Sequence, residues 1–527
     1  MTGSNKSVMS IRRPPKYGMG KHRNVELVPQ PSDDPDDPLN WPTWKKELNF
    51  GSLLLMVAMT GVMKTALVSV NGILAQGYGA SYTAVAALTG VPFIFSAFTG
   101  LASIVGSKIW GKRPFYLAAL LLVFIGSVWN TNVRTSYSQC MVARLFQGLG
   151  WGIIDALVFG SLQDTYFEHE CATRVPIYST VLVATTWGPP LIGGAASQTS
   201  SGFGLQFSIL GAFFVLAIPA IVLGAPETAF DRPAVLPQTP ITSNERSKVV
   251  SPTPSNTLTK EAALDYLATM KPHSFTGSFS HDILLQAPRA FVAPTTMLIF
   301  VVGLLPYGTL WGLTSSLSLL YAPTLSVVST GRLGALLTGP WLFSTAIVCV
   351  FALLPWWQTR FTPKANMAAL AGGTVLTFIG VLTFGGLHAD GMTRGAASPT
   401  SVSAAFFPVV SFLLGLLAAG AYVLDATARP LVRCSTQFTS SSLGVALRNR
   451  ADMEAGVGCW RALAVGIFVM ALPGDVARPD SLRALCIGVA VAQVVVASLV
   501  GAVWWRWDED ARRWDGRVMR LVDLTML

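Results

Sequence analysis

Long apolar runs alternate with short polar connections along most of this chain. A helix needs about 20 mostly apolar residues to cross ~30 Å of hydrocarbon. Twelve runs meet or approach that length. The first six cover 50–74, 83–105, 115–131, 139–161, 175–196 and 204–224. The second six cover 291–314, 333–357, 365–387, 402–424, 456–473 and 482–505. Glycines and prolines interrupt many of them, which membrane helices tolerate and use for close packing. The pattern predicts six spans, a polar linker, and six more spans. The units are a disordered tail over 1–46, a first membrane unit over 47–224, a linker over 225–288, a second membrane unit over 289–505 and a tail over 506–527.

No short apolar core follows a basic start, so no cleavable signal peptide is expected. Within the linker, Lys260–Met270 has a helical apolar pattern with Leu264, Leu267 and Met270 on one face, which predicts a short surface helix.

Composition agrees with a membrane protein. Of the 527 residues only 12% are charged, against about 25% in soluble proteins. That excludes a soluble multidomain enzyme and a disordered protein. The net charge of +10 could have pointed to nucleic acid. The positions of the basic residues decide otherwise. With the N-terminus inside, the inside segments hold 29 of the 37 Lys and Arg, and the outside loops only Arg134, Arg332, Arg394, Arg478 and Arg483. This steep sorting places both termini in the cytoplasm and leaves no call for a nucleic-acid partner. Trp41, Trp44, Trp356, Trp357, Trp504, Trp505 and Trp507 fall at the same expected boundary, where amphipathic rings settle. The six cysteines form no CxxC pair, so neither a disulfide framework nor a metal site is expected.

Three basic residues lie inside spans: Lys64, Arg144 and Arg461. An intramembrane charge is costly and faces a bundle interior or a wet cavity. Arg144 opens span 4, followed by Gln147, Gly148, Gly150 and Gly152. Asp155 follows eleven residues later, which returns to within ~20° of the same helix face, about 16 Å along the axis. Lys64 has an intermediate depth on span 1. These three are the candidate proton-coupling and cavity residues. Arg461 is close enough to the span end to snorkel, and Asp425 closes span 10 as an interfacial carboxylate. Loop 2–3 reads GSKIWGKRP, in which Gly111, Lys112 and Arg113 make a tight basic turn. Span 5 contains TTWGPPLIGG, whose Pro189, Pro190, Gly193 and Gly194 predict a kinked, closely packed helix. The five histidines lie outside the spans and form no HxxxD motif, so no enzyme is expected and no cofactor is called for.

These strings together resemble the major facilitator superfamily, and more closely its fungal twelve-span drug:proton-antiporter-type members, the secondary-metabolite and multidrug efflux transporters. The resemblance covers about residues 38–505. It rests on PLNWP before span 1, GKRP at Gly111–Pro114, RLFQGLGWG at Arg144–Gly152 and PETAFDR after span 6. Two positions depart from the family pattern. Lys108 stands where the loop 2–3 signature has an Asp, and Pro189 stands where the span 5 signature has a Gly.

The resemblance implies an all-α membrane protein: twelve transmembrane helices in two six-helix lobes around a central cavity, working by alternating access. It implies that spans 1, 4, 7 and 10 line the cavity, with Tyr307, Trp311 and Tyr422 as candidate substrate contacts. Proton-coupled export of a small organic molecule follows, by a monomer in the plasma membrane or the vacuolar membrane. The alternative is import of a nutrient or organic cation by a proton symporter or uniporter. A membrane-embedded enzyme is the remote alternative.

Overall fold

A computed structural model describes residues 16–17, 26–133, 136–197, 204–230, 259–268, 270–277, 281–321, 329–354, 357, 361–395, 406–440, 443–476 and 478–520. Most of the linker, the first fifteen residues, Trp356 and Arg134 lie outside them, so the readings on those positions do too.

The described residues are almost entirely helical. The first half contains α1 (Thr43–Thr65), α2 (Asn71–Tyr78), α3 (Tyr82–Trp110), α4 (Arg113–Asn132) and α5 (Tyr137–Thr165). It continues with α6 (Glu168–Trp187), α7 (Pro189–Ala196) and α8 (Gly204–Gly224). Two connecting helices follow, α9 (Lys260–Ala268) and α10 (His281–Val292). The second half contains α11 (Pro294–Leu320), α12 (Thr330–Ala335), α13 (Thr338–Ala352), α14 (Pro363–Gly395) and α15 (Phe406–Ala426). It ends with α16 (Ala428–Thr439), α17 (Leu443–Ala471), α18 (Pro473–Val476) and α19 (Pro479–Met519).

Eleven of the described helical stretches are long and apolar enough to cross a membrane. The expected span at 175–196 is not among them. It is the broken pair α6 and α7. Glu168, His169, Glu170 and Arg174 make the start of α6 polar, and neither Pro189 nor Pro190 can donate a backbone hydrogen bond, so the apolar stretch divides at Gly188.

Within the first half, α5 packs on α3 and α4, and α1 packs on α6 and α8. Within the second, α14 packs on α15 and α19, while α11 packs on α17 and α19. Across the halves α3 runs against α17, and α6 meets α13. Gly148 allows the α5–α3 packing, because a Cβ there would lie 2.6 Å from the Pro92 carbonyl oxygen of α3.

The segment before α1, within the stretch read as a disordered tail, makes defined contacts. Val28 accepts from the Glu168 N–H at 2.7 Å, and Asp37 caps a short turn at Pro38–Asn40. In the linker helix α9 the buried residue is Tyr266, whose hydroxyl donates to the Leu223 carbonyl at 2.6 Å. Leu264 and Leu267 are exposed, so the expected apolar face is not the packed one.

Candidate functional site

Lys64 and Asp155 meet. Lys64 sits in the last turn of α1 and Asp155 midway along α5, and the ammonium lies 2.7 Å from both carboxylate oxygens. Lys64 is buried while Asp155 is partly open. The partner that a buried lysine requires is therefore this carboxylate. Immediately beyond Lys64 the helix breaks, and α2 carries the chain on to α11. There Asn71 donates to the Ser315 carbonyl at 3.1 Å, and Ser318 accepts from the Gly72 N–H at 2.8 Å.

Arg144 does not join this pair. It is fully buried, and its guanidinium donates to the Leu88 carbonyl at 3.1 Å, the Met63 carbonyl at 2.8 Å and Gln147 Oε1 at 2.7 Å. It thus ties α5 to α1 and α3 through backbone oxygens. The helix face that Arg144 shares with Asp155 therefore does not bring the two side chains into a pair: the carboxylate goes to Lys64 and the guanidinium to backbone and amide oxygens.

Loop 2–3 and the PETAFDR string form one unit. Gly111 has φ +83°, and a Cβ there would collide with Glu227. Glu227 accepts the N–H groups of Lys112 (2.9 Å) and Arg113 (3.0 Å), placing a carboxylate at the start of α4. Lys112 pairs with Asp164 of α5 at 2.6 Å, and Arg113 donates to the Val222 and Ala225 carbonyls at the end of α8. Lys108, in the place of the family's Asp, pairs with Asp452 of α17 at 2.5 Å and donates to Gln286 at 3.2 Å. A contact between the halves is present here, made by a lysine in the place of the signature's carboxylate.

The broken span 5 works at the opposite end. A Cβ at Gly334 would lie 2.2 Å from the Pro190 carbonyl oxygen, so α7 and α12 touch backbone to backbone, and the Thr330 hydroxyl donates to the Gly194 carbonyl at 2.8 Å. Gly193 accepts from Gln206 at 3.0 Å. Together with the α2–α11 bonds, these contacts close that end of the bundle.

Near the middle, Trp187 donates to the Tyr422 hydroxyl at 2.8 Å. Trp311 is enclosed between Trp187 and Phe93, each 4.8 Å from it, and Tyr307 lies edge-on to Tyr422 at 6.1 Å. These aromatics form a packed cluster rather than an open set of contacts.

A cavity of about 600 Å³ opens between α5 and α6 on one side and α13, α15, α16 and α17 on the other, toward the end of the bundle that carries the N-terminal segment. Of the expected substrate contacts only Tyr422 lines it. Lys64, Arg144 and Asp155 are not among its lining residues.

Other charges line this cavity instead. Arg461 of α17 pairs with Asp425 of α15, so Arg461 has a partner and does not reach for the membrane surface. Glu454 receives Arg429 at 3.3 Å and Arg450 at 3.0 Å. At the mouth, Arg433 pairs with Glu168 of α6 at 2.5 Å, beside Glu26 and Val28 of the N-terminal segment. The sequence offered one sign of this set: Arg450, Glu454 and Arg461 recur at helical spacing along one face ahead of and inside span 11.

The family model described as Major Facilitator Superfamily matches residues 53–447 of the chain. An uncharacterized MFS-type transporter of Schizosaccharomyces pombe is 32% identical over 41% of this chain and 37% of its own length. Protein HOL1 of Saccharomyces cerevisiae is 29% identical over 42% of this chain and 37% of its own. The citrinin biosynthesis cluster MFS transporter mrr1 of Monascus ruber is 27% identical over 32% of this chain and 34% of its own. The chain thus spans little more than a third of the length of the curated relatives it matches.

Proposed function

The chain belongs to the Major Facilitator Superfamily, as a multi-pass membrane transporter, and on that footing we propose that it exports a small organic molecule in exchange for protons. The cargo is a secondary metabolite or drug-like compound. The observation that carries the reading is the Lys64–Asp155 pair, the one acid–base contact between α1 and α5 found among the described residues.

Protonation of Asp155 removes the charge that holds Lys64. A lysine left without its counter-ion in a buried site is unfavourable, so the α1 end must move toward water or a new partner. That end leads directly into α2, whose bonds to Ser315 and Ser318 close the far side of the bundle. Proton binding therefore bears on the contact that must open for release. Cargo would load from the side where the 600 Å³ cavity opens, which the sorting of basic residues assigns to the cytoplasm. Lobe rocking about a central site is the expected mode. The protein works as a monomer in the plasma membrane. The cargo class draws support from the Monascus relative, whose name places it in a biosynthesis cluster.

The test is transport in inverted vesicles. Wild type should concentrate cargo under a pH gradient with the vesicle interior acidic, and Asp155→Asn should not. Concentration by Asp155→Asn equal to wild type sinks the proposal. Accumulation only with the gradient reversed would favour import.

A further inference from the structure

The segment before α1 forms part of the cavity's mouth. Glu26, Val28 and Pro29 line it, together with Glu168 and His169 of α6 and Arg433 of α16. The attachment follows from helix chemistry. Glu168 opens α6, and the first N–H groups of a helix have no partner within it. The Val28 carbonyl accepts the Glu168 N–H at 2.7 Å. The string here reads VPQP, and its prolines lack an N–H and disfavour helix in the residue before each. The chain therefore crosses the mouth in extended form, with Pro29 and Pro31 buried.

This segment is also organised within itself. The Lys16 N–H donates to Gln30 Oε1 at 2.8 Å, and the Lys16 carbonyl accepts the Leu27 N–H at 3.0 Å. The Lys16 ammonium donates to the Ser32 carbonyl at 3.2 Å and pairs with Asp33 at 2.7 Å. Nearer α1, the buried Asp37 accepts from the N–H groups of Ser32 (2.9 Å) and Leu39 (3.1 Å). Residues 26–33 are thus gathered into one unit, clasped by Lys16 and anchored at Asp37. The bond from this unit to α6 is made by Glu168, whose carboxylate pairs with Arg433 of the other half at 2.5 Å. One residue therefore serves two closures: its main chain holds the segment, and its side chain holds the halves together.

We propose that residues 26–33 are an autoinhibitory strap across the mouth of the cavity, which must swing away as a unit before cargo passes. The unit keeps its own bonds when it leaves, so its departure costs the contacts at the mouth and not its internal order. Release of Arg433 by Glu168 and release of Val28 by Glu168 then belong to one opening step, because both contacts depend on where α6 begins. Movement of a lid of this kind sets the pace of entry without touching the cargo site deeper in the cavity. The inference rests on the transporter reading above but not on its proton coupling, its direction or its cargo.

Access to the cavity tests the strap without any cargo. Gly458 of α17 lines the cavity, and a Cβ there meets open space, so Gly458→Cys supplies a reporter thiol. Ser329→Cys, at the opposite end beside α12, supplies a control. Each reporter is placed in the full-length protein, in a protein lacking residues 2–33, and in Lys16→Glu, which sets a carboxylate against Asp33 and opens the clasp. The rate of reaction with a water-soluble maleimide is read by mass spectrometry at the reporter itself. Removal of the strap should raise the rate at residue 458 several-fold, Lys16→Glu should raise it less, and the rate at residue 329 should stay the same in all three. Equal rates at residue 458 in all three proteins overturn the proposal. So does an equal rise at both reporters in Lys16→Glu, which would mean that the whole bundle has loosened. Neither result bears on the export reading, whose own test is transport by Asp155→Asn.

Discussion

Lys108 on α3 and Asp452 on α17 form a 2.5 Å ion pair that joins the first half of the chain to the second. Gln286 of α10 accepts from the same ammonium and donates to Asn449 at 2.6 Å, so the pair belongs to a small polar network. Asp452 is only 7% exposed in its side chain, which makes its partner hard to remove without cost.

Lys108→Asp places two carboxylates face to face. The variant should lose on the order of 2–4 kcal/mol of stability, as when one member of a buried pair is removed. The exchanged double variant Lys108→Asp with Asp452→Lys should recover most of it. Thermal denaturation in detergent reads the difference; equal loss in the single and double variants would show that the pair does not matter.

Lys64 and Asp155 should be coupled in the same way. Lys64→Gln leaves a carboxylate without its cation, and Asp155→Asn leaves a buried ammonium. The double variant should be more stable than the sum of the single losses predicts, by about 1–3 kcal/mol. A double-mutant cycle on unfolding temperature measures it. Additive losses would mean that the two side chains act independently.

Arg144 depends on the shape of its guanidinium. Its hydrogen bonds run to three acceptors on α1, α3 and α5. A lysine at 144 keeps the charge but cannot reproduce the fork. Arg144→Lys should therefore cost about 2–3 kcal/mol by stranding buried carbonyls. It should also impair transport at every pH, whereas Asp155→Asn should chiefly flatten the pH dependence.

The α7–α12 contact depends on the absence of side chains. Gly334→Ala drives a Cβ to within 2.2 Å of the Pro190 carbonyl, and Gly194→Ala does the same to Thr330 at 2.5 Å. Either should force the far end apart. Labelling of a cysteine introduced at Ser329 or Thr330 by a membrane-impermeant maleimide should rise several-fold relative to the same cysteine in the glycine background. An unchanged rate would place the closing contact elsewhere.

The linear chain was informative where a residue's own chemistry sets its place. Apolar length predicted the spans, because hydrocarbon thickness imposes a minimum on any helix that crosses it. The cost of a charge in lipid marked Lys64 and Arg144 as unusual before any partner was known. Span 5 shows the limit of that reasoning. Its prolines predicted a kink, but they break the helix at Gly188, which leaves α6 long enough but too polar for a span and α7 too short for one.

Pairing was the part that the sequence withheld. Arg144 and Asp155 share a helix face, yet Arg144 turns to backbone carbonyls and Asp155 to Lys64, ninety-one residues away. Arg461 seemed near enough to the surface to snorkel, but Asp425 on another helix holds it. Glu227, in a string noted only for its family resemblance, caps α4 from across the linker boundary. Trp311 and Tyr307, offered as contacts, pack into an aromatic cluster, while Arg429 and Glu454 line the cavity. The reason is physical. Membrane crossing and charge cost are properties of one residue and its immediate neighbours, so the sequence by itself determined the spans and the residues worth asking about. Which charge meets which, and which side chains face open space, depends on how helices far apart in the chain pack together, and only the tertiary structure decided that.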